Sequence, residues 1–289
     1  MTGGSPPGRP TPPVALTIAG SDSGGGAGIA ADLRTFAAFG TFGTLALTAV
    51  TAQDTTGVHA VLALAPALVC AQLDAVLGDF DVRAAKTGML ATLEIVDAIA
   101  ERARRGGLPP LVVDPVMVSS SGAALLEGDA VAAYLRLLPH ALVVTPNLPE
   151  AEVLLHREVA SRAAMGDAAR ALHDLGARYA VVKGGHLGGP DAVDVVFDGE
   201  VLIELTAPMV PTANNHGTGC TLSAAIAAAL ALGHEPLDAI GLAKRYVSAA
   251  ISAASSWHLG AGRGPLDHLV GWPGWPGRLA GHGQEEERP

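Results

Sequence analysis

Short apolar runs that stop abruptly at polar residues, with helix-patterned segments between them, recur along this chain. Val14-Ala15-Leu16-Thr17-Ile18-Ala19 runs into Gly20, residues 45–52 run into Gln53-Asp54, Leu111-Val112-Val113 into Asp114, Val143-Val144 into Thr145-Pro146-Asn147, and Tyr179-Ala180-Val181-Val182 into Lys183. Strands that are apolar throughout are buried on both faces, and strands that alternate with helices build βαβ units. The expected fold class is therefore α/β: a three-layer α/β/α arrangement around a mostly parallel central sheet. Helices are expected over 29–39, closed by Gly40, over 66–77 with Cys70 as a core residue, over 93–104, and twice after Leu222. Residues 194–197 and 201–205, separated by Asp198-Gly199-Glu200, read as a β-hairpin. The polar residues collect after the strands' C-terminal ends, where open α/β sheets bind ligands.

Composition removes several function classes. The formal net charge is −10 with no Lys/Arg cluster, which excludes a nucleic-acid surface because that needs a basic stripe. No apolar stretch approaches the ~20 residues that span a bilayer. The opening residues, rich in Gly, Ser and Pro, have no apolar signal segment. The two cysteines, Cys70 and Cys220, lie far apart and outside any metal-ligand spacing. A cytoplasmic soluble protein is expected. Pro- and Gly-rich residues 1–13 and 272–289 read as disordered tails around one domain spanning 14–271.

Two Gly-rich loops lead into helices. In Asn214-Asn215-His216-Gly217-Thr218-Gly219-Cys220-Thr221-Leu222-Ser223, the Gly and Thr residues sit at the start of a small, apolar helix. Gly217, Thr218 and Gly219 can bring bare amides against an anion there. Cys220 falls in the first turn, where the helix dipole is expected to favour its thiolate. Taken alone, the same pattern also suits a tight approach to a buried helix with Cys220 as a small core residue. The loop over 20–28 is the second such element. Gly26, Gly28 and Ala31 fit the dinucleotide spacing G-x-G-x-x-A, with Asp54 as its acidic partner. The loop carries too many glycines and its Asp22 comes too early for that reading, and no phosphate-loop motif with a following Gly-Lys exists.

Taken in order, Ala15-Leu16-Thr17-Ile18-Ala19-Gly20-Ser21-Asp22, Gly25-Gly26-Ala27-Gly28, Thr51-Ala52-Gln53, Lys86-Thr87-Gly88-Met89-Leu90, Asp114-Pro115-Val116-Met117-Val118, Thr145-Pro146-Asn147-Leu148-Pro149-Glu150, Val182-Lys183-Gly184-Gly185-His186, His216-Gly217-Thr218-Gly219-Cys220-Thr221 and Gly262-Arg263-Gly264-Pro265 with His268 form one pattern. That pattern resembles the ribokinase superfamily, most closely the hydroxymethylpyrimidine/phosphomethylpyrimidine kinases of thiamin synthesis, over residues 14–269.

The resemblance implies a ribokinase-like fold and a transferase that uses ATP and Mg²⁺. It gives substrate-side roles to Gly20, Asp22, Ala27, Gln53, Met89 and Val116, and nucleotide-side roles to Asn147 and Lys183. It places Asp114 and Glu150 at the metal, with Gly217, Thr218 and Gly219 as the anion hole and Cys220 as proton acceptor. A Gln suits an aminopyrimidine edge because its amide both donates and accepts. The implied reaction has two steps, and only the first needs a base, since a monophosphate oxygen is already ionised near neutral pH. The nearest alternative is a pyridoxal kinase of the same superfamily, and a non-catalytic pyrimidine sensor would have no use for Cys220 or the two acids. Ser119-Ser120 stand where the family frequently has Ala-Lys, which weakens the case for a phosphate-binding cation there. The sequence leaves the oligomeric state open, with a homodimer as one option.

Overall fold

The computed structural model describes residues 11–117, 130–185 and 187–270. Both expected tails fall largely outside these residues, as do Ser119, Ser120 and His186. Pro13, assigned to the first tail, already belongs to the fold: its carbonyl accepts the Phe42 N–H at 2.9 Å.

An eight-stranded sheet forms the middle layer. Six of its strands are parallel: β1 (Val14–Ala19), β2 (Phe42–Leu47), β5 (Val82–Thr87), β6 (Leu111–Val113), β7 (Val143–Val144) and β8 (Tyr179–Lys183). The hairpin of β9 (Asp191–Phe197) and β10 (Leu202–Pro208) adds an antiparallel edge, giving the order β10-β9-β8-β7-β6-β5-β1-β2. Alternate residues of each strand feed opposite cores. Leu16, Ile18, Ala180 and Val182 face α2 (Pro66–Asp79), α3 (Leu93–Arg104), α4 (Ala130–Leu137), α5 (Leu148–Leu155) and α6 (Arg162–Asp174). Ala15, Val112, Val143 and Val181 face α1 (Gly28–Ala38), α7 (Thr218–Ala231) and α8 (Pro236–Ala254). The three-layer α/β/α architecture is as expected. Among the described residues no helix is long and apolar enough to cross a membrane.

Two local readings need correction. The strand expected over 45–52 is two strands. Thr48 gives its N–H to Ala19 O at 3.1 Å and its hydroxyl to Met89 O at 2.7 Å, which ties it to the end of β1 and the loop after β5 as β2 stops. The chain then leaves the main sheet as β3 (Ala49–Gln53) and pairs antiparallel with β4 (Val58–Ala63) in a separate two-stranded sheet. β4 was not foreseen because most of its side chains are exposed, so it lacks the pattern of a half-buried strand. Cys70 is only part-buried rather than a core residue, because α2 buries Val69 and Leu73 and turns Cys70 away.

Candidate active site

Every candidate residue named from the sequence lines one cavity of about 560 Å³ at the C-terminal edge of the parallel strands. Three pieces of chain build it.

The first is the loop between β1 and α1. Asp22 is buried and turned into its own loop: Oδ1 accepts the Gly24 N–H at 2.8 Å, and Oδ2 accepts those of Gly26 at 3.0 Å and Ala27 at 2.8 Å. His216 Nε2 donates to Oδ2 at 2.9 Å. Burial opposes ionisation of Asp22, but His216 and the amides of Ala27 and Gly24 outweigh it and hold the carboxyl below its ordinary range. Asp22 thus shapes the pocket wall. Gln53, at the end of β3, sets its Nε2 3.3 Å from His216 Nε2. Gly20 donates its N–H to Met89 O at 3.1 Å, which brings Met89 to the same wall.

The second piece is the start of α7. Gly217 caps the helix in the left-handed region at φ 84°. A Cβ there would lie 1.9 Å from Gly26 O, so both the backbone angle and the packing demand glycine. The first intrahelical bond runs from Thr221 N–H to Gly217 O at 2.8 Å, and the Thr218 N–H reaches Asn215 O at 3.4 Å. Among the described residues the N–H groups of Gly217, Gly219 and Cys220 have no backbone acceptor, and those of Gly219 and Cys220, in the first turn of α7, are donors a helix start can offer an anion. Thr221 locks the turn from beneath: its hydroxyl donates to Gly217 O at 2.8 Å and accepts from His268 Nε2 at 3.0 Å.

The third piece joins the ends of β6, β7 and β8. Lys183 Nζ donates to Asp114 Oδ1 at 3.1 Å and lies 4.0 Å from Glu150 Oε2. Asp114 also accepts from Thr145 Oγ1 at 3.2 Å. Asn147 and Glu150 close a capping box on α5: Asn147 Oδ1 accepts the Glu150 N–H at 2.9 Å, and Glu150 Oε2 accepts the Asn147 N–H at 2.8 Å. Burial pushes the Glu150 carboxyl up to about 7, with Lys183 pulling it down and Asp114 adding to the rise. Lys183 is held above its ordinary range: burial works against its charge, and Asp114 and Glu150 outweigh that.

The start of α7 bridges the other two pieces. Gly217 packs on Gly26, while a Cβ on Gly219 would lie 3.1 Å from Lys183 Nζ. Cys220 stands between, and here the expected direction reverses. Burial pushes the thiol up to about 11; the charge of Lys86 and the Gly28 N–H pull it down, and Asp32 and Asp114 push it further up. Desolvation outweighs the helix dipole. Cys220, part-buried in the cavity wall, is thus held towards its thiol form.

A pair of cavity residues escaped the sequence reading. Lys244, on α8, donates to Asp194 Oδ2 at 2.8 Å and Ala192 O at 3.0 Å, and Asp194 Oδ1 accepts the Gly184 N–H at 3.1 Å. The signal available was a lone Lys on the core-facing side of α8, beside buried Ala243 and Val247. Among the described residues no cluster of three or more His, Cys, Asp or Glu could cage a metal ion. Asp114 and Glu150 bring two carboxylates, the kind of oxygen donor that Mg²⁺ takes, to the same corner of the cavity.

Comparison with known proteins agrees with this geometry. The phosphomethylpyrimidine kinase family model matches residues 22–267. A hydroxymethylpyrimidine/phosphomethylpyrimidine kinase of Rhizobium meliloti is 54% identical over 261 residues, covering 90% of this chain and 98% of that protein. The solved phosphomethylpyrimidine kinase of Clostridium difficile superposes with a TM-score of 0.73 at 41% identity, over 82% of this chain and 99% of that one. The pyridoxal kinase of Staphylococcus aureus, solved with AMP-PCP and pyridoxal, gives 0.81 at 38% identity, over 89% of this chain and 94% of that one. The chain belongs to the phosphomethylpyrimidine kinase family, and its fold is ribokinase-like.

Proposed function

We propose that this chain transfers the γ-phosphoryl group of ATP to the hydroxyl of hydroxymethylpyrimidine and then to the resulting monophosphate, a kinase of thiamin biosynthesis. The observation that carries the reading is the position of Cys220 and the free amides of α7, between the Gln53–Met89 wall and the Lys183–Asp114–Glu150 corner of one cavity. Phosphoryl transfer needs in-line positioning and charge neutralisation more than covalent chemistry.

In this reading Gly20, Ala27, Gln53, Met89 and Val116 hold the ring, with Asp22 fixing the loop that carries them. The amides of Gly219 and Cys220, on the turn made by Gly217 and Thr218, meet the transferring phosphoryl. Asn147 and Lys183 serve the nucleotide side, where Lys183 offers a cation beside the phosphates. Asp114 and Glu150 would hold Mg²⁺, which when bound neutralises phosphate charge. Cys220 accepts the hydroxyl proton in the first step, and the second step has no such proton to remove. Cytoplasmic residence belongs to this reading, since ATP is at hand there.

Incubation with ATP, Mg²⁺ and hydroxymethylpyrimidine, with products identified by mass, should give the monophosphate and then the diphosphate. Absence of both would overturn the reading. The similarity to the Staphylococcus aureus pyridoxal kinase favours pyridoxal as a second substrate. Adding pyridoxal in competition separates a single-ring enzyme from one that takes both.

A further inference from the structure

Behind Cys220 lies a cluster of charged groups that the reaction does not touch. Lys86, on the central strand β5, and Asp32, on α1, are fully buried, and Lys86 Nζ lies 3.2 and 3.1 Å from the two Asp32 oxygens. Thr17, beside Lys86 in the register of β1 and β5, donates its hydroxyl to Asp32 Oδ2 at 2.6 Å. A buried ion pair is a weak source of stability, because desolvation of both ions offsets their attraction, and an apolar pair of the same size often serves a fold as well. Its place in this fold suggests another use.

Gly28 and Asp32 stand four residues apart on α1 and so share a face. Gly28 lines the same cavity as Cys220, and the residues just before it, Gly26 and Ala27, pack against Gly217 at the start of α7. Asp32 therefore lies one helical turn beyond Gly28 on α1, with the Lys86 ammonium held against it at 3.1 Å. Gly88 keeps the space around the ammonium clear, since a Cβ there would lie 3.0 Å from Lys86 Nζ. Of the charges that reach Cys220, Lys86 acts most strongly and favours the thiolate; Asp32 and Asp114 oppose it. Lys183, from the end of β8, also interacts with the Cys220 charge.

We propose that the Lys86–Asp32 pair is a positioning device for Cys220, with the Lys86 ammonium fixed behind the thiol to hold the negative charge that Cys220 carries as a thiolate. Asp32 anchors the cation and tempers its field, so the two members act on the thiol with opposite sign. The inference rests on the reading of Cys220 as a proton acceptor, but it concerns the thiol itself and can be read without turnover.

With Cys70→Ala as background, Cys220 is the one remaining thiol, and its alkylation by iodoacetamide can be followed against pH. The charge-neutral double variant Lys86→Met/Asp32→Asn leaves no unpaired buried ion and should shift the profile up by about one pH unit, so that alkylation near about pH 8.5 slows roughly tenfold. Asp32→Asn alone keeps the cation and should shift the profile the other way. A merely structural pair would not give opposite signs. Profiles that coincide with the parent in folded protein, or shifts of one sign in both variants, would overturn the proposal. The functional reading is judged apart from this, on the Cys70→Ala parent: if that folded protein forms no kinase products, the reading fails whatever the titrations show. If the double variant does not fold, the near-isosteric Asp32→Asn decides alone: faster alkylation supports the proposal, and an unchanged or slower rate overturns it.

Discussion

The two Gly-rich loops follow the same sequence grammar and are used in opposite ways. The loop before α1 surrounds an anion of its own, since the Asp22 carboxylate takes the amides of Gly24, Gly26 and Ala27. The loop before α7 has no acid within it and leaves the amides of Gly219 and Cys220 facing the cavity. A strand, a Gly-rich turn and a helix therefore do not make a phosphate site by themselves. What decides is whether the chain supplies the negative charge or waits for a ligand to bring it. This is also why the dinucleotide spacing of Gly26, Gly28 and Ala31 leads nowhere.

The comparison breaks most visibly at the second loop. Cys220→Ala should slow phosphorylation of the hydroxymethyl substrate by about 10² to 10⁴ and affect the monophosphate far less. The measurement is the ratio of the two single-turnover rates, and equal losses would leave Cys220 as a packing residue. Because burial holds the thiol up at about 11, its ionised form grows as pH rises. The first-step rate of the parent should then climb about tenfold per pH unit above about pH 7 while the second stays flatter. Parallel pH profiles would remove the base from the first step.

The support beneath that loop gives the next effect. Burial, with the Arg34 charge adding to it, holds His268 down at about 4, below its ordinary 6.5. Between these values the unfolded chain binds a proton that the folded chain refuses. Stability from this group is thus complete above about pH 6.5 and lost as pH falls through about 4, on the order of 3 kcal/mol in all. His268→Gln should flatten the acid limb of a denaturation series, and an unchanged slope would show that His268 takes up its proton without unfolding.

The first loop should respond in stability before chemistry. Asp22→Asn keeps the shape of the side chain but removes its charge from three amides and His216, and should cost about 2 kcal/mol in urea unfolding. A variant as stable as the parent would mean that the loop holds itself without an internal anion. The smallest effect is expected at the wall beside it. Gln53→Leu should weaken pyrimidine binding by on the order of 1 to 3 kcal/mol in calorimetry, and unaltered affinity would make Gln53 structural.

What could be read from sequence was local. The stops at Gly20, Asp114, Asn147 and Lys183 mark strand ends because polar residues cannot continue a doubly buried strand, and every candidate residue reached the same cavity. What could not be read depends on partners distant in sequence. Thr48 looks like one more strand residue until its hydroxyl meets Met89 O, and the hold of His216 on Asp22 comes from 194 positions away, with no local signal. Lys244 and Asp194 lie 50 positions apart and declare themselves only as a pair. The helix start alone favours the thiolate of Cys220, whereas burial and the charges of Lys86, Asp32 and Asp114 from other elements set the direction of its shift.

The contact between Gly26 and Gly217 also bears on how the molecule comes to exist. The His216 N–H is held by Gly264 O at 3.0 Å, so the turn before α7 is braced by chain from both its far N-terminal and far C-terminal sides. Closing such contacts costs loop entropy that grows, slowly, with the length of chain enclosed. During synthesis the strands up to β8 can pair as they emerge, while the cavity has to wait for residues beyond Gly264. The cavity thus needs chain from both ends of the domain, and a chain that stopped before Gly264 would lack the carbonyl that holds His216.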